Sequence, residues 1–149
     1  MHIRSLTLEN AKSYADGTIA FAPGTNAIVG HNGAGKSTIL EAIGFALFDH
    51  LPYSQADFVR AGAKSAIVTV NFISSADERE YQAIRRCGSS SSHSIFDPGL
   101  DQKVCEGKAD VLIFLRQHLG AEPTANLGEL FTNAVGVPQG TLTAAFLDP

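Results

Sequence analysis

The chain has 149 residues, of which 44% are hydrophobic and 17% charged, and its formal net charge is −4. This size and composition exclude a disordered tail and predict one globular domain. An acidic balance is not typical of a nucleic-acid-binding surface, so any DNA contact is expected to be local or to belong to other parts of the protein. No apolar run reaches the ~20 residues that span a bilayer, and no signal-peptide block opens the chain. We therefore expect a cytoplasmic protein without a membrane partner.

The first thirty residues predict strands that lead into a glycine-rich loop. Alternation favours a half-buried strand over His2–Glu9, and the polar stretch Asn10–Gly17 predicts a loop. A second short strand is expected at Thr18–Phe21. The mostly apolar segment Asn26–Val29 predicts a third strand, which leads directly into Gly30.

The segment GHNGAGKS, residues 30–37, satisfies the P-loop pattern GxxxxGK[ST] and opens a predicted helix over Lys36–Phe48. Its glycines let the backbone approach an anion, and successive N–H groups at a helix N-terminus bind phosphate oxygens. The Lys36 ammonium is expected on the β- and γ-phosphates, and the Ser37 hydroxyl on Mg²⁺. The alternative is a chance glycine turn before a helix. The motif predicts ATP and Mg²⁺ as cofactors, with these nucleotide contacts: Gly30, His31, Asn32, Gly33, Ala34, Gly35, Lys36, Ser37 and Thr38.

The second half of the chain predicts an antiparallel meander followed by helices. Ser65–Ile73 and Glu80–Arg86 alternate like neighbouring antiparallel strands, which places a meander over residues 65–106. The serine run that follows is typical of a mobile loop. Helical spacing predicts two further helices, Ala109–Leu119 and Leu127–Val135. The lone cysteines, Cys87 and Cys105, and five scattered histidines are interpreted as structural or surface residues.

A small-molecule kinase is the first alternative among P-loop proteins. In such kinases the P-loop usually follows the first strand, and further βα units come after it. Here two further strands precede the one that leads into the motif, and a meander follows the motif's helix, which disfavours phosphoryl transfer to a metabolite.

Four segments closely resemble the SbcC-type ATPases, whose eukaryotic and archaeal counterpart is Rad-fifty. They are IRSLTLENAKSY (3–14), FAPGTN (21–26), GHNGAGKSTILEAI (30–43) and DFVRAGA (57–63), the last being similar to that family's adenine-side loop. PQG at 138–140 resembles its Q-loop, and the roughly hundred residues between Lys36 and Gln139 are unlike the short interval of transporter-type ABC domains. SMC, RecF and RecN proteins share the general opening, and the Val59–Ala63 segment favours the SbcC type.

The resemblance implies an α/β fold, the N-terminal lobe of an ABC ATPase head with an antiparallel β-meander and a P-loop helix. It also implies nucleotide contacts from Lys12, Ser13, Val59, Arg60 and Ala61. The family usually has arginine where Lys12 stands, so the planar guanidinium of that arginine is replaced here by the compact ammonium of lysine. By the same resemblance Gln139 joins Lys36 in catalysis and offers its amide oxygen to Mg²⁺ and to the attacking water.

The acidic half of such a site is missing from the sequence. There is no signature loop. Two segments imitate a Walker B strand: 111–115 is followed by Arg116, which is not an acid, and 144–148 ends in an aspartate but is followed by Pro149 in place of the catalytic glutamate. Helical spacing predicts a helix over 144–148. We expect one lobe over 1–149, cut before a coiled coil and without its C-terminal lobe, which binds nucleotide with little or no turnover. Its parts are strands into the P-loop (1–30), Walker A and helix (30–49), meander (65–106), helices (107–136), and Q-loop with the start of a helix (137–149).

The resemblance also implies partners. These are a C-terminal lobe of the same protein, a second head in an ATP-dependent homodimer, an SbcD-type nuclease, and DNA through the assembled complex. The location would be the nucleoid in a bacterium or archaeon, or the nucleus in a eukaryote. The alternatives are another SMC-, RecF- or RecN-like head, a small P-loop kinase, and a nucleotide-binding regulator without hydrolysis.

Overall fold

A computed structural model of the chain describes residues 2–21 and 34–131, with side chains described at 2–21 and 38–131. Several predicted elements lie outside these residues. They are the strand at Asn26–Val29, the Q-loop at 137–140, the end of the helix predicted over Leu127–Val135, and the helix predicted over 144–148.

The described strands form one antiparallel six-stranded sheet. Its strands lie in the order β2-β1-β3-β4-β5-β6, so the last four are adjacent in chain order, as a meander requires. The predicted meander over 65–106 is therefore confirmed. Their bounds are β1 His2–Ala11, β2 Tyr14–Ala20, β3 Ser65–Ile73, β4 Glu80–Gly88, β5 Ser92–Asp97 and β6 Gln102–Glu106.

One face of this sheet is buried by helices. Along β3 the side chains of Ala66, Val68, Val70 and Phe72 are 0–1% exposed, whereas the alternate residues are half-buried. This two-residue period sends every second side chain of a strand to the same face. The helices on that side include α1, Ala34–Phe48, and α3, Lys108–His118. The hydrophobic core lies between them and the sheet.

Helix α1 confirms the helix predicted after the P-loop, and it begins two residues earlier than expected. Every residue of Ala42–Phe48 is buried. A helix that is apolar on all sides is packed on all sides. Helix α3 agrees within one residue with the prediction at Ala109–Leu119, and a short helix α4, Leu127–Leu130, begins where the last helix was expected. Within the described residues no helix is long and apolar enough to cross a membrane.

The polar loop predicted over Asn10–Gly17 is wrong. β1 continues to Ala11 and pairs across a tight hairpin with Tyr14, so the turn is only Lys12–Ser13. Strand β2 is polar because it is an edge strand, and an exposed edge has no need of apolar side chains. Polar composition therefore does not distinguish an edge strand from a loop.

Two smaller differences concern connections. The serine loop is shorter than predicted, because β5 begins at Ser92 and the Ser89 amide donates to the Lys64 carbonyl at 2.9 Å. A short helix, α2, spans Gln55–Phe58 in a segment expected to be loop. Its four residues are too few to produce a recognisable period.

Candidate nucleotide site

The helix that follows the P-loop begins inside the motif itself, since Ala34 is the first residue of α1. This is the position that lets free N–H groups of the first turn bind phosphate. Thr38, one of the predicted nucleotide contacts, is 1% exposed. The predicted contacts Gly30, His31, Asn32, Gly33 and Gln139 lie outside the described residues, and described side chains on α1 begin at Thr38.

The Lys12–Ser13 turn is fastened to the Val59–Ala61 segment. The Lys12 amide donates to the Phe58 carbonyl at 2.9 Å, and the Arg60 amide donates to the Asn10 carbonyl at 2.7 Å. Between these two bonds, Ala11 and Val59 form an isolated antiparallel bridge. Two segments separated by more than forty residues in sequence therefore meet through their backbones. The structure brings together the nucleotide contacts predicted at 12–13 and at 59–61.

This junction has an unusual backbone on the turn side. Asn10 has φ 54° and Lys12 has φ 53°, both in the left-handed region that residues with a Cβ rarely adopt. Asparagine tolerates that region better than most residues. The two conformations orient the carbonyl of Asn10 and the amide of Lys12 toward the 58–60 segment, where both are hydrogen-bonded.

The segment on the other side is anchored by a phenylalanine. Phe58 is fully buried, and its ring packs on Phe45 of α1 with centroids 5.5 Å apart. Helix α2 begins at its N-cap Ser54, whose hydroxyl accepts from the Asp57 amide at 3.4 Å. After Phe58 the chain turns outward, and Arg60 and Ala61 are exposed. Their side chains are therefore accessible to a ligand.

A second link connects the turn to α1 through Tyr53. The Lys12 ammonium lies 3.9 Å from the centroid of the Tyr53 ring, and the Tyr53 hydroxyl donates to Glu41 Oε1 at 2.7 Å. Burial raises the pKa of Tyr53, and the hydrogen bond to Glu41 adds to the effect. The phenol thus stays protonated and remains a donor. Sequence reasoning did not find Tyr53 or Glu41, although Glu41 follows Ser37 at the four-residue helical spacing that shares a face.

The structure also places the Walker-B-like segment, the two cysteines and two of the histidines. The Walker-B-like segment 111–115 lies within helix α3, so it is not a strand that ends in a catalytic acid. Both cysteines are free thiols. In the described residues, no three His, Cys, Asp or Glu side chains are grouped to hold a metal ion. His93 and His118 are buried and hydrogen-bonded within the fold, in agreement with a structural role.

Comparison with known proteins gives the family. A profile described as AAA domain matches residues 5–105. The DNA double-strand break repair Rad50 ATPase of Thermoplasma acidophilum is 49% identical over 73 residues, which are 48% of this chain and 8% of that protein. The Rad50 ATPase of Archaeoglobus fulgidus is 30% identical over 148 residues, which are 98% of this chain and 15% of that protein.

A solved structure shows the same fold. The Smc head domain with a coiled coil and joint from Pyrococcus yayanosii superposes with a TM-score of 0.62 at 28% identity, covering 79% of this chain and 25% of that one. The chain therefore belongs to the AAA domain family. Within it, the chain is an N-terminal lobe of the Rad50- and SMC-like ABC ATPase head. It spans 8% and 15% of the two Rad50 relatives described here.

Proposed function

We propose that this chain is the ATP-binding half of an ABC-type ATPase head that acts in DNA double-strand-break repair. The observation that carries the proposal is the junction of the Lys12–Ser13 turn with the Val59–Ala61 segment. It joins two predicted nucleotide-contacting segments, and α1 begins within the P-loop motif. The names of the Rad50 relatives support the repair role.

The residue roles follow from the chemistry of each group. Backbone N–H groups of the P-loop hold the phosphates of ATP, Lys36 neutralises the β- and γ-phosphates, and Ser37 binds Mg²⁺. Gln139 orients the attacking water. Lys12 and Ser13 contact the nucleotide from the hairpin turn, and Val59, Arg60 and Ala61 do so from the adenine side. Lys12 also has a second contact, because its ammonium lies over the Tyr53 ring.

The site is half of a complete one. Helix α3 contains the first Walker-B-like segment, and the signature loop is missing from the sequence. We propose that hydrolysis needs a C-terminal lobe and that a second head covers the bound nucleotide in an ATP-dependent homodimer. We further propose an SbcD-type nuclease and DNA as partners of the assembled protein, in the nucleoid or the nucleus.

The proposal is tested by measuring ATP binding and turnover with and without a C-terminal lobe. We expect the chain alone to bind Mg²⁺-ATP with negligible turnover, and turnover to appear when the lobe is added. Lys36→Ala should abolish nucleotide binding, because the cation on the β- and γ-phosphates is lost. Lys103→Ala is the matched control, since Lys103 is exposed on β6 at the sheet edge opposite the turn.

Other outcomes identify the alternatives. Phosphate transfer to a small acceptor by the chain alone would contradict the repair-head proposal and support a kinase. ATP binding without any gain in turnover on adding the lobe would support a nucleotide-binding regulator.

A further inference from the structure

The Lys12 side chain is held by an aromatic ring instead of an acid. Its ammonium lies 3.9 Å from the centroid of the Tyr53 ring, which is within the range of a cation–π contact. In the part of the chain that the structure describes, no carboxylate lies within ion-pair distance of this ammonium. Five other basic side chains do form ion pairs there: Arg4, Arg79, Arg85, Lys103 and Lys108.

A contact of this kind positions a cation without neutralising it. A carboxylate partner would cancel the charge of the ammonium, and an incoming phosphate would have to displace that carboxylate. The face of an aromatic ring carries only the partial negative charge of its quadrupole. The ring covers one side of the ammonium, whose three N–H groups can still donate elsewhere. Lys12 is therefore held in place and keeps its positive charge for an anion.

The Tyr53 ring is itself fixed to helix α1. Its hydroxyl donates to Glu41 Oε1 at 2.7 Å, and the residue is half-buried. Burial and the Glu41 carboxylate raise the pKa of Tyr53, so the hydroxyl remains a donor at physiological pH. Because hydrogen-bonded groups polarise one another, donation to a carboxylate makes the phenol ring richer in electrons and strengthens its attraction for the cation. The contacts thus run from the Lys12 ammonium through the Tyr53 ring to α1.

Glu41 places these contacts beside the end of α1 that follows the P-loop. Glu41 follows Ala34, the first residue of the helix, by seven residues, or about 10 Å along the axis. Helical side chains point toward the N-terminus and residues four apart share a face, so the Glu41 carboxylate lies over the turn that carries position 37. In the proposed site Ser37 binds the Mg²⁺ of the nucleotide. The Tyr53 ring and the Lys12 ammonium therefore lie on the phosphate side of α1.

The Lys12 backbone is fixed as well as its side chain. Lys12 has φ 53°, and its amide donates to the Phe58 carbonyl at 2.9 Å. A free lysine side chain has many rotamers, and fixing one of them when a ligand binds costs entropy. With the backbone and the ammonium both held before the nucleotide arrives, less entropy is lost on binding.

We propose that Tyr53 is a positioning residue for the nucleotide, which holds the Lys12 ammonium, with its charge uncancelled, where the phosphates of ATP bind. The inference rests on the proposed nucleotide contact of Lys12 and adds the residue that prepares this contact. Glu41 fixes the ring to α1, so the hairpin turn and the P-loop helix present their phosphate ligands in a constant arrangement.

The test compares Mg²⁺-ATP binding by the unaltered chain with that of Tyr53→Leu, Lys12→Ala and the double variant, using isothermal titration calorimetry. Tyr53→Leu should weaken binding roughly two- to fivefold, the size expected for a cation–π contact at an accessible site. Lys12→Ala should weaken it roughly tenfold or more, because a charged hydrogen bond is lost. In the Lys12→Ala background, Tyr53→Leu should have no further effect, since the ring then has no ammonium to hold. A residue that only stabilised the fold would weaken binding equally in both backgrounds.

Two further variants serve as controls. Tyr53→Phe keeps the ring under Lys12 and should retain most of the affinity that Tyr53→Leu loses. Phe96→Leu replaces another half-buried aromatic side chain, on β5, with two strands between it and β1, and should leave the affinity unchanged. Amide spectra that match those of the unaltered chain away from the substituted site establish that each variant is folded.

A spectroscopic signature reports the contact directly. Protons that lie over an aromatic ring are shifted upfield, so the ε-methylene protons of Lys12 should resonate upfield of those of the exposed Lys103. We expect this shift in the nucleotide-free chain and at saturation with Mg²⁺-ATP, and its loss in Tyr53→Leu.

Three results would overturn the inference. They are an unchanged ATP affinity in Tyr53→Leu, an equal loss of affinity from Tyr53→Leu with and without Lys12, and disappearance of the upfield shift when ATP binds. The last result would make the ring a resting place that Lys12 leaves. All three are observed in a chain that binds ATP, whereas absence of Mg²⁺-ATP binding by the unaltered chain would contradict the proposed function itself.

Discussion

The two ends of α1 are held in different ways. Near the C-terminal end, buried side chains bind the helix carbonyls directly: Arg85 donates to Phe45 and His93 to Ala46. The segments assigned to the nucleotide are instead held by backbone bonds of the Lys12–Ser13 turn and by the half-buried Tyr53–Glu41 pair. Side-chain hydrogen bonds thus fix the helix at the end remote from the P-loop, where Phe58 also packs on Phe45. The ligand side keeps exposed polar groups available.

The largest expected effect is that of removing Phe58, the buried anchor of the nucleotide side. Phe58→Ala leaves a cavity against Phe45, so the free energy of unfolding should fall by about 3–5 kcal/mol. Urea denaturation measures it. Phe96→Ala is the control, since Phe96 is half-buried and should cost less. An equal loss in both variants would show that the junction has no special anchor.

Acidification should weaken the C-terminal end of α1, where His93 bonds to Ala46. Burial lowers the pKa of His93 from 6.5 to about 4 in the folded protein, so the unfolded chain binds the proton first as pH falls. The stabilisation is present above pH 6.5 and is lost as the pH falls toward 4, by about 3 kcal/mol in total.

The measurement is the free energy of unfolding between pH 7 and pH 4.5. His93→Gln keeps an amide donor for the Ala46 carbonyl and should flatten the profile over this window. A profile equally steep in the variant would assign the acid sensitivity to other groups, such as His118, whose pKa burial also lowers.

A smaller effect is expected at the link between the turn and α1. Tyr53→Phe removes the hydrogen bond to Glu41 and keeps the ring under Lys12, and it should cost about 1 kcal/mol because the pair is only partly buried. Tyr53→Leu removes the ring as well and should cost roughly a further 0.5 kcal/mol. Thermal unfolding of the two variants separates the contributions, and identical values would mean that the ring contact with Lys12 stabilises nothing.

The smallest effect belongs to the N-cap of α2. Ser54→Ala removes the acceptor of the Asp57 amide, and the loss should be about 0.5 kcal/mol because the hydrogen bond is long and the helix has four residues. Hydrogen exchange should nevertheless quicken at 57–60. Ser89→Ala, an exposed serine that caps no helix, should change neither quantity, and faster exchange there too would argue against a capping role.

The predictable parts of the molecule are those that a local period specifies. Alternation over Ser65–Ile73 and helical spacing over Lys36–Phe48 located β3 and α1 within two residues, because one buried face determines each pattern. Strand β2 was predicted only in its second part, at Thr18–Phe21, since its edge position imposes no such pattern on Tyr14–Gly17. The motif and family resemblance gave the nucleotide segments, and the structure supplied the bonds that join them.

Other features depend on tertiary contacts that sequence spacing does not show. Tyr53 meets Glu41 across twelve residues, and His93 meets Ala46 across forty-seven. A cavity of about 320 Å³ is lined by residues from three separate stretches of the chain, at Gln55, at 85–93 and at 107–108. Arg85 and Lys108 meet at Asp49, which a net charge of −4 does not show, because charge totals do not say which side chains become neighbours.

The most direct test of the central claim, that the turn and the 59–61 segment form one nucleotide-contacting surface, is amide NMR of the chain during titration with Mg²⁺-ATP. The account predicts that amides of Lys12, Ser13 and Val59–Ala61 shift together with those at the start of α1, with one common dissociation constant. Lys36→Ala should remove all of these shifts at once. Shifts confined to the P-loop region, with Lys12–Ser13 and Val59–Ala61 unaffected at saturation, would contradict it.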